Sequence, residues 1–271
     1  MSSPSQQQQL HTVLITGGCG CIAQHLTKEL LLNHEELNID KIILLDVQRE
    51  WTPFWHVYNN SNTINNTTTI ESNNDDNSNN NSNSNNNIWK YPSLEIEKEK
   101  IKFYQIDIKA HKLVIERPFK ENQKLNSLVL TLCMTIYGEG DQNTLNLIQS
   151  NRTNLDISAK GHSLYAGNAA HAHILAFKQL LNNPNMVRGM TFSVHENNFG
   201  QLYFKALRGI MKITKFVIDV TYLNRYDDFD LKNIEKYLNY KPKYKSEQAY
   251  DRIAHYLKSL EKLGKIKLPK M

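Results

Sequence analysis

The chain has 271 residues, of which 40% are hydrophobic, and a formal net charge of +5. This apolar content suffices for one large core, or for a nucleotide-binding domain with a smaller partner. The charge is modest and the basic residues are spread along the chain, which argues against nucleic acid as a partner. Three cysteines without a CxxC pair exclude a disulfide framework and fit a reducing compartment.

The first eleven residues are polar and lack the basic and apolar regions of a signal peptide. We therefore predict a disordered N-terminus over residues 1–11 and a soluble, cytoplasmic protein. No stretch reaches the roughly 18 apolar residues of a transmembrane helix. Peripheral contact with the endoplasmic reticulum membrane is left open.

The stretch from Thr12 to Leu32 predicts a strand, a tight glycine turn and a helix. Gly17 and Gly20 can adopt positive φ and carry no Cβ, so a pyrophosphate could approach the amides at the start of the helix. This context is what a dinucleotide fingerprint requires, and the alternative is an ordinary glycine-rich turn. The predicted cofactor-binding residues of this stretch are Gly17, Gly18, Gly20, Cys21 and Ile22.

A second strand is predicted from Lys41 to Asp46, with a carboxylate at its end. Asp46 there can accept both ribose hydroxyls from the adenosine half of NAD and would repel the 2′-phosphate of NADP. The alternative is that Asp46 only caps the following turn. NAD is therefore favoured over NADP.

Residues 59–87 consist almost entirely of Asn, Ser, Thr and Asp. Because such a tract has little apolar surface to bury, we predict a disordered insertion in a surface loop. The aromatic residues Trp51, Phe54 and Trp55 precede it. They either cover an adenine or pack the base of the loop.

A third strand is predicted over Ile101 to Asp107, where Asp107 either meets the adenine amino group or terminates the strand. Lys109 to Glu116 predicts a helix, and Ser127 to Ile136 predicts another strand. Further along, Met190 to His195 predicts a strand and residues 200–210 a helix.

Ser246 to Leu263 predicts an amphipathic helix. Its core face would consist of Ala249, Ile253, Leu257 and Leu260. Asn168 is predicted to cap the start of a helix. His171 and His173 have no third ligand nearby in sequence, so no metal site is expected there.

Four blocks occur in the order found in one known family. They are TGGCGCIAQHL at Thr16–Leu26, IYGEGD at Ile136–Asp141, YAGNAAHAHILA at Tyr165–Ala176, and KYLNYKP at Lys236–Pro242. Together they resemble the 3β-hydroxysteroid dehydrogenase/isomerase family of extended short-chain dehydrogenases, which includes sterol-4α-carboxylate 3-dehydrogenases. The resemblance implies an α/β fold with a Rossmann-type doubly wound parallel sheet, NAD as cofactor, and a steroid or sterol substrate. For the assembly, a homodimer is considered as one alternative.

The family carries out its chemistry with a Tyr-x-x-x-Lys helix and a preceding Ser. The Lys lowers the pKa of the phenol, so that a tyrosinate takes the substrate proton as hydride leaves for NAD. By resemblance, Lys109 matches this Lys as a catalytic and cofactor-binding residue. Gln105 stands where the Tyr is expected, and Tyr104 belongs to a strand. The chain thus omits about two βα units.

This omission predicts a reduced sheet in which Leu128 to Leu132 pairs directly beside Val13 to Ile15. The alternative is an exposed edge at the first strand. We predict a NAD-binding Rossmann domain over residues 12–150 and a smaller α+β substrate-binding remnant over residues 151–271.

Two functions are therefore considered. The first is a NAD-dependent oxidoreductase acting on the CH–OH group of a steroid or sterol in steroid biosynthesis, with Lys109 and either Tyr137 or Tyr165 in the site. The alternative is a catalytically inactive nucleotide-binding family member or a truncated gene product, because the Tyr of the family motif is absent.

Overall fold

A computed structural model describes residues 9–58, 90–106, 126–133, 135–142, 145, 163–196 and 231–267. Several predicted features lie outside these ranges. They are residues 1–8, the insertion 59–87, Asp107, the helix from Lys109 to Glu116 and the helix over residues 200–210.

Strands and helices alternate along much of the chain. In chain order they are β1 (His11–Thr16), α1 (Cys21–Leu32), β2 (Ile39–Asp46), α2 (Leu94–Lys100), β3 (Ile101–Gln105), β4 (Val129–Leu132), β5 (Thr135–Tyr137), β6 (Ser163–Tyr165), α3 (Ala166–Asn182), α4 (Pro184–Val187), β7 (Thr191–Val194), α5 (Lys232–Leu238) and α6 (Ser246–Lys262). His11, predicted to end the disordered terminus, already belongs to β1.

The first sheet is parallel and has the strand order β1-β2-β3. In the central strand β2, Ile42 pairs with Val13 of β1, and Leu44 pairs with Phe103 of β3. Ile42 and Leu44 are fully buried. Parallel neighbours need a crossover between them, and α1 supplies the one from β1 to β2. This is the predicted Rossmann-type α/β arrangement, in reduced form.

The predicted pairing of Leu128 to Leu132 beside β1 is wrong. Strand β4 instead pairs in parallel with β7, with Val129 opposite Thr191, and β5 pairs in parallel with β6. Within the described residues, β1 is therefore an edge of its sheet, and Leu14 on it is 58% exposed. The single strand predicted from Ser127 to Ile136 is divided into β4 and β5.

The apolar surface of β7 and α3 explains the partner of β4. Phe192 and Val194 of β7 are each 1% exposed, and they share a hydrophobic cluster with Ala169 and Ala172 of α3. Strand β4 itself alternates between exposed and half-buried residues. By pairing with β7, β4 places its half-buried side chains against this cluster, which a position beside β1 would not provide.

A second hydrophobic cluster lies around α1, β2 and α6. Phe54 and Trp55 are buried in this cluster. Of the two predicted alternatives, this favours packing at the base of the loop over covering an adenine. Helix α1 packs along α3, which joins the two clusters. None of the helices in the described ranges combines the length and apolar character needed to cross a bilayer.

Helix α6 confirms the predicted amphipathic face. Ala249, Ile253, Leu257 and Leu260 are all at most 5% exposed. A charged residue, Arg252, is equally buried on this helix at 0% exposure. A buried guanidinium requires a partner, because desolvation of an unpaired charge is costly.

The partner of Arg252 is Glu139, in the turn that follows β5. Arg252 Nε donates to Glu139 Oε1 at 2.9 Å, and the Tyr165 hydroxyl donates to Glu139 Oε2 at 2.6 Å. His25 of α1 lies 3.6 Å from the same carboxylate. Burial alone would raise the pKa of Glu139, but Arg252 and then His25 more than reverse this, so the pKa lies below its ordinary value. The carboxylate is therefore charged in the core.

Arg252→Ala is expected to destabilise the fold by about 3–5 kcal/mol, because it leaves the buried Glu139 charge without its cation. The change is measured as the shift in the free energy of unfolding in urea. Lys258→Ala, on the exposed face of the same helix, is the matched control and should change stability by no more than about 0.5 kcal/mol. Equal unfolding midpoints for the two variants would contradict the prediction.

Acidification between pH 6.5 and about pH 4 is expected to destabilise the fold through His25. Burial lowers the pKa of His25 from 6.5 to about 4, so in this window only the unfolded chain takes up the proton. The contribution is fully present above pH 6.5 and is lost as the pH falls. His25→Gln should flatten this part of the stability profile, whereas His255→Gln, on the exposed face of α6, should retain it. Urea unfolding at stepped pH tests this, and parallel profiles for wild type and His25→Gln would refute it.

Candidate functional site

The glycine loop between β1 and α1 has the backbone geometry of a close turn. Gly17 lies at φ +69°, in the left-handed region that favours glycine. Gly20, predicted to adopt positive φ as well, is instead extended at φ −67° and forms the N-cap of α1. At Gly18 a Cβ would lie 2.9 Å from Leu44 Cβ of β2, so only glycine allows this approach of the loop to the sheet.

Two side chains from different elements hold the loop at Cys19. The Cys19 N–H donates to Asp46 Oδ2 at 2.8 Å, and the Cys19 carbonyl accepts from Gln24 Nε2 at 2.7 Å. Gln24 is 7% exposed, and its Oε1 accepts the Phe54 N–H at 2.8 Å. The orientation of the loop backbone is thus fixed from both sides. Sequence reasoning missed Gln24, because a glutamine one turn into a helix carries no distinctive signal.

The start of α1 presents unshielded backbone amides. No side chain caps this helix, and its first turn contains no acidic residue. The first N–H groups of a helix have no intrahelical partner, and together with the helix dipole they favour an anion. The loop and the first turns of α1 can therefore bind a phosphate group.

An open cleft of about 530 Å³ adjoins this helix start. Its lining comes from the end of β1, the glycine loop and α1, and from β5, the turn after it and α3. The lining residues are Ile15, Thr16, Gly17, Gly20, Cys21, Ile22, Ala23, Leu26, Ile136, Asp141 and His173. Gly17, Gly20, Cys21 and Ile22 of the predicted site are thus brought together in one cleft.

Asp46 lies at the other side of the glycine loop. It is 9% exposed, and besides the Cys19 contact its Oδ1 accepts the Gln48 N–H at 3.0 Å. These contacts correspond to the predicted alternative in which Asp46 holds a turn. A carboxylate offers about four acceptor positions, so two ribose hydroxyls could still be accepted. The two predicted roles are therefore compatible.

The thiols beside the loop are not reactive groups. The Cys19 Sγ donates to the Glu50 carbonyl, and burial together with Asp46 raises the pKa of Cys19 to about 11. Burial and the nearby Asp141 raise the pKa of Cys21 well above its ordinary value. Neither thiol is a thiolate at neutral pH, and no group of metal ligands occurs in the described part of the chain.

The tyrosines considered as site residues lie in the core. Tyr137 is 1% exposed and its hydroxyl donates to Glu196 Oε2 at 3.1 Å, whereas Tyr165 is fully buried and donates to Glu139. Burial, reinforced by these carboxylates, raises the pKa of both phenols. Neither hydroxyl can therefore act as an accessible proton acceptor.

The segment that leads to the predicted catalytic helix is a strand. Gln105 is the last residue of β3, and its Nε2 donates to the Val47 carbonyl at 3.3 Å. Tyr104, one residue earlier, is 47% exposed on the same strand. Asp107 and Lys109 lie outside the described residues, so their roles stay predictions.

Asn168 is not the cap of a helix as predicted. Helix α3 begins at Ala166, and Asn168 is fully buried within its first turn. Its amide donates to Glu196 Oε1 at 2.7 Å and to the Tyr244 carbonyl at 2.9 Å, and its oxygen accepts the Tyr244 N–H. Asn168 thus ties α3 to the segment preceding α6.

Three solved structures share this fold. UDP-glucuronic acid 4-epimerase from Bacillus cereus, in complex with NAD, is 12% identical with a TM-score of 0.54, over 93% of this chain and 98% of that chain. UDP-glucose 4-epimerase from Thermotoga maritima, with UDP-glucose, is 12% identical with a TM-score of 0.53, over 93% and 100%. The Bordetella bronchiseptica enzyme WbmF, in complex with NAD+, is 9% identical with a TM-score of 0.51, over 93% and 94%.

In sequence, no curated protein matches the chain significantly. The sequence model of the 3-beta hydroxysteroid dehydrogenase/isomerase family matches residues 105–219. This segment contains the IYGEGD and YAGNAAHAHILA blocks. Over this segment the chain is similar to the 3-beta hydroxysteroid dehydrogenase/isomerase family, and the epimerase structures show the fold that it shares with them.

Proposed function

We propose that this chain binds NAD in the cleft beside the glycine loop and acts as an oxidoreductase on the CH–OH group of a steroid or sterol. The observation that supports binding is the uncapped start of α1, which opens onto a cleft of about 530 Å³. An uncharged, uncapped helix start next to a glycine turn at positive φ suits a diphosphate.

The described residues fit the pyrophosphate and the adenosine ribose of a dinucleotide. The backbone at Gly17, Gly20, Cys21 and Ile22 would hold the pyrophosphate, while Gly18 lets the loop lie close to the sheet. Asp46 would accept the hydroxyls of the adenosine ribose, which favours NAD over NADP. By family resemblance, Asp107 would meet the adenine and Lys109 the nicotinamide ribose.

The comparisons support the cofactor and the substrate class to different degrees. Two of the similar structures contain NAD or NAD+. At 9–12% sequence identity, however, the similarity shows only that the fold is shared. The steroid substrate rests on the description of the matched family. Steroid biosynthesis is accordingly the proposed context of the reaction.

When bound, NAD supplies the hydride acceptor for oxidation of an alcohol. The protein must then supply a group that takes the hydroxyl proton. Lys109 would lower the pKa of such a group and position the nicotinamide ribose, as in the family motif. Gln105 cannot take the proton, because an amide is not a base at neutral pH.

A second candidate is a catalytically inactive NAD-binding member of the family. Gln105 favours it, because this residue occupies the position of the family tyrosine and lies at the end of a strand, engaged with Val47. The burial of Tyr137 and Tyr165 favours it as well, since neither can replace the missing phenol.

Gly17→Ala is expected to weaken NAD binding by about tenfold, because alanine at φ +69° strains the loop and turns its amides away from the pyrophosphate. Gly189→Ala is the matched control, since Gly189 lies at φ +77° before β7, and a Cβ at either glycine meets nothing within 4 Å. Both variants should lose about 1 kcal/mol of stability. Calorimetric titration with NAD should show weaker binding for Gly17→Ala alone, and an equal loss in both variants would count against the proposed site.

The two candidate functions differ in turnover. With NAD and a 3β-hydroxysterol, the oxidoreductase is expected to form NADH, which absorbs at about 340 nm, and Lys109→Ala should abolish this signal. The inactive family member would bind NAD in calorimetry without forming NADH. Absence of NAD binding would refute both candidates.

A further inference from the structure

His173 lines the same cleft as the glycine loop. The sequence brings it to notice as part of a His-x-His pair, but no group of metal ligands is found in the described ranges. It is half-buried on α3, a helix that packs along α1. The dinucleotide contacts proposed above leave this imidazole without a role.

The position of His173 along the cleft follows from the order of the strands. Asp46 ends β2, which lies on one side of β1, and its carboxylate reaches the glycine loop from that side. Ile136, Asp141 and His173 come from β5, the turn after it and α3, and they line one cleft with the end of β1, which no residue of β2 lines. The glycine loop contacts Asp46 at Cys19 and also lines this cleft.

A dinucleotide is an extended molecule with a nucleoside at each end of its pyrophosphate. If the adenosine ribose meets Asp46 and the pyrophosphate meets the amides of α1, the nicotinamide riboside extends toward the wall that carries His173. The cleft there has apolar surface from Ile15, Ile22 and Leu26. This surface suits the faces of a ring, and polar atoms on the wall are left to meet the ribose.

The local geometry of His173 determines which ring atom is available. Nδ1 lies 2.8 Å from the Ala169 carbonyl oxygen, one helical turn earlier. A carbonyl only accepts, so Nδ1 carries the hydrogen, and in the neutral ring Nε2 is then an acceptor. The Nδ1 bond also fixes the ring against α3. A preoriented acceptor on a cleft wall suits a hydroxyl donor.

We propose that His173 Nε2 accepts a hydrogen bond from a hydroxyl of the nicotinamide ribose. This inference rests on the proposed binding of NAD, and it adds a binding residue on α3 to those of the glycine loop and β2.

The experiment compares three ligands that share adenosine and pyrophosphate. NAD and ADP-ribose contain the second ribose, and ADP lacks it. His173→Ala should weaken binding of NAD and ADP-ribose by about fivefold, as expected for one lost hydrogen bond, and should leave ADP binding unchanged. His171→Ala is the matched control, because His171 lies on the same helix with its ring 6.2 Å from that of Tyr240. It should bind all three ligands as wild type does.

Each result of the calorimetric titrations decides the inference. A wild-type chain that binds no NAD refutes the proposed function, and the role of His173 with it. NAD binding that is unchanged by His173→Ala overturns the role of His173 alone. An equal loss for ADP also overturns it, because the ring then supports the fold or the pyrophosphate. If His173→Ala unfolds, His173→Phe keeps the ring volume without the acceptor and serves in its place.

Discussion

The buried carboxylate of Glu139 is the contact on which the arrangement of the described residues depends. Arg252 of α6, Tyr165 of β6 and His25 of α1 all converge on it. Its backbone carbonyl also accepts from the Cys21 thiol at 3.5 Å and lies 3.2 Å from His25 Nε2. A full charge in the core is stable only if every partner stays in place. The turn after β5 is thereby fixed against α1, and residues of both line the same cleft.

The two sides of the glycine loop differ in the structure that supports them. On the side of β2, the loop, Asp46 and Gln24 form a compact set of hydrogen bonds around Cys19. On the other side, β1 has no strand neighbour among the described residues, and α3 packs along α1. The proposed adenosine and pyrophosphate sites therefore have a rigid support, whereas the proposed nicotinamide site is bounded by a helix and a turn.

The same rearrangement bears on the chemistry. The family that the sequence resembles has a phenol one helical turn before its lysine, and at that spacing before Lys109 this chain has Gln105, at the end of β3. Tyr137 and Tyr165 are committed to Glu196 and Glu139 in the core. With Tyr137 and Tyr165 engaged in the core, the described residues suit the proposed nucleotide binding more readily than proton transfer.

Local patterns in the sequence were sufficient for some elements of the fold, whereas α2 and the division between β4 and β5 were not predicted. The run from β1 to α1 and the buried face of α6 follow from hydrophobic spacing, which depends only on neighbouring residues. The glycine loop was identified for the same reason, although the sequence could not distinguish the positive φ of Gly17 from the extended Gly20.

The sequence by itself thus determined the α/β class, the similarity to the family and the glycine loop between β1 and α1. Only the tertiary structure decided that β4 pairs with β7, that Asn168 binds Tyr244, and that Glu139 meets Arg252 across 113 positions. These contacts join residues far apart in the chain, and each is selected by competition for buried surface or for a charged partner. That competition exists only in the folded molecule, where desolvation makes one pairing more stable than the others.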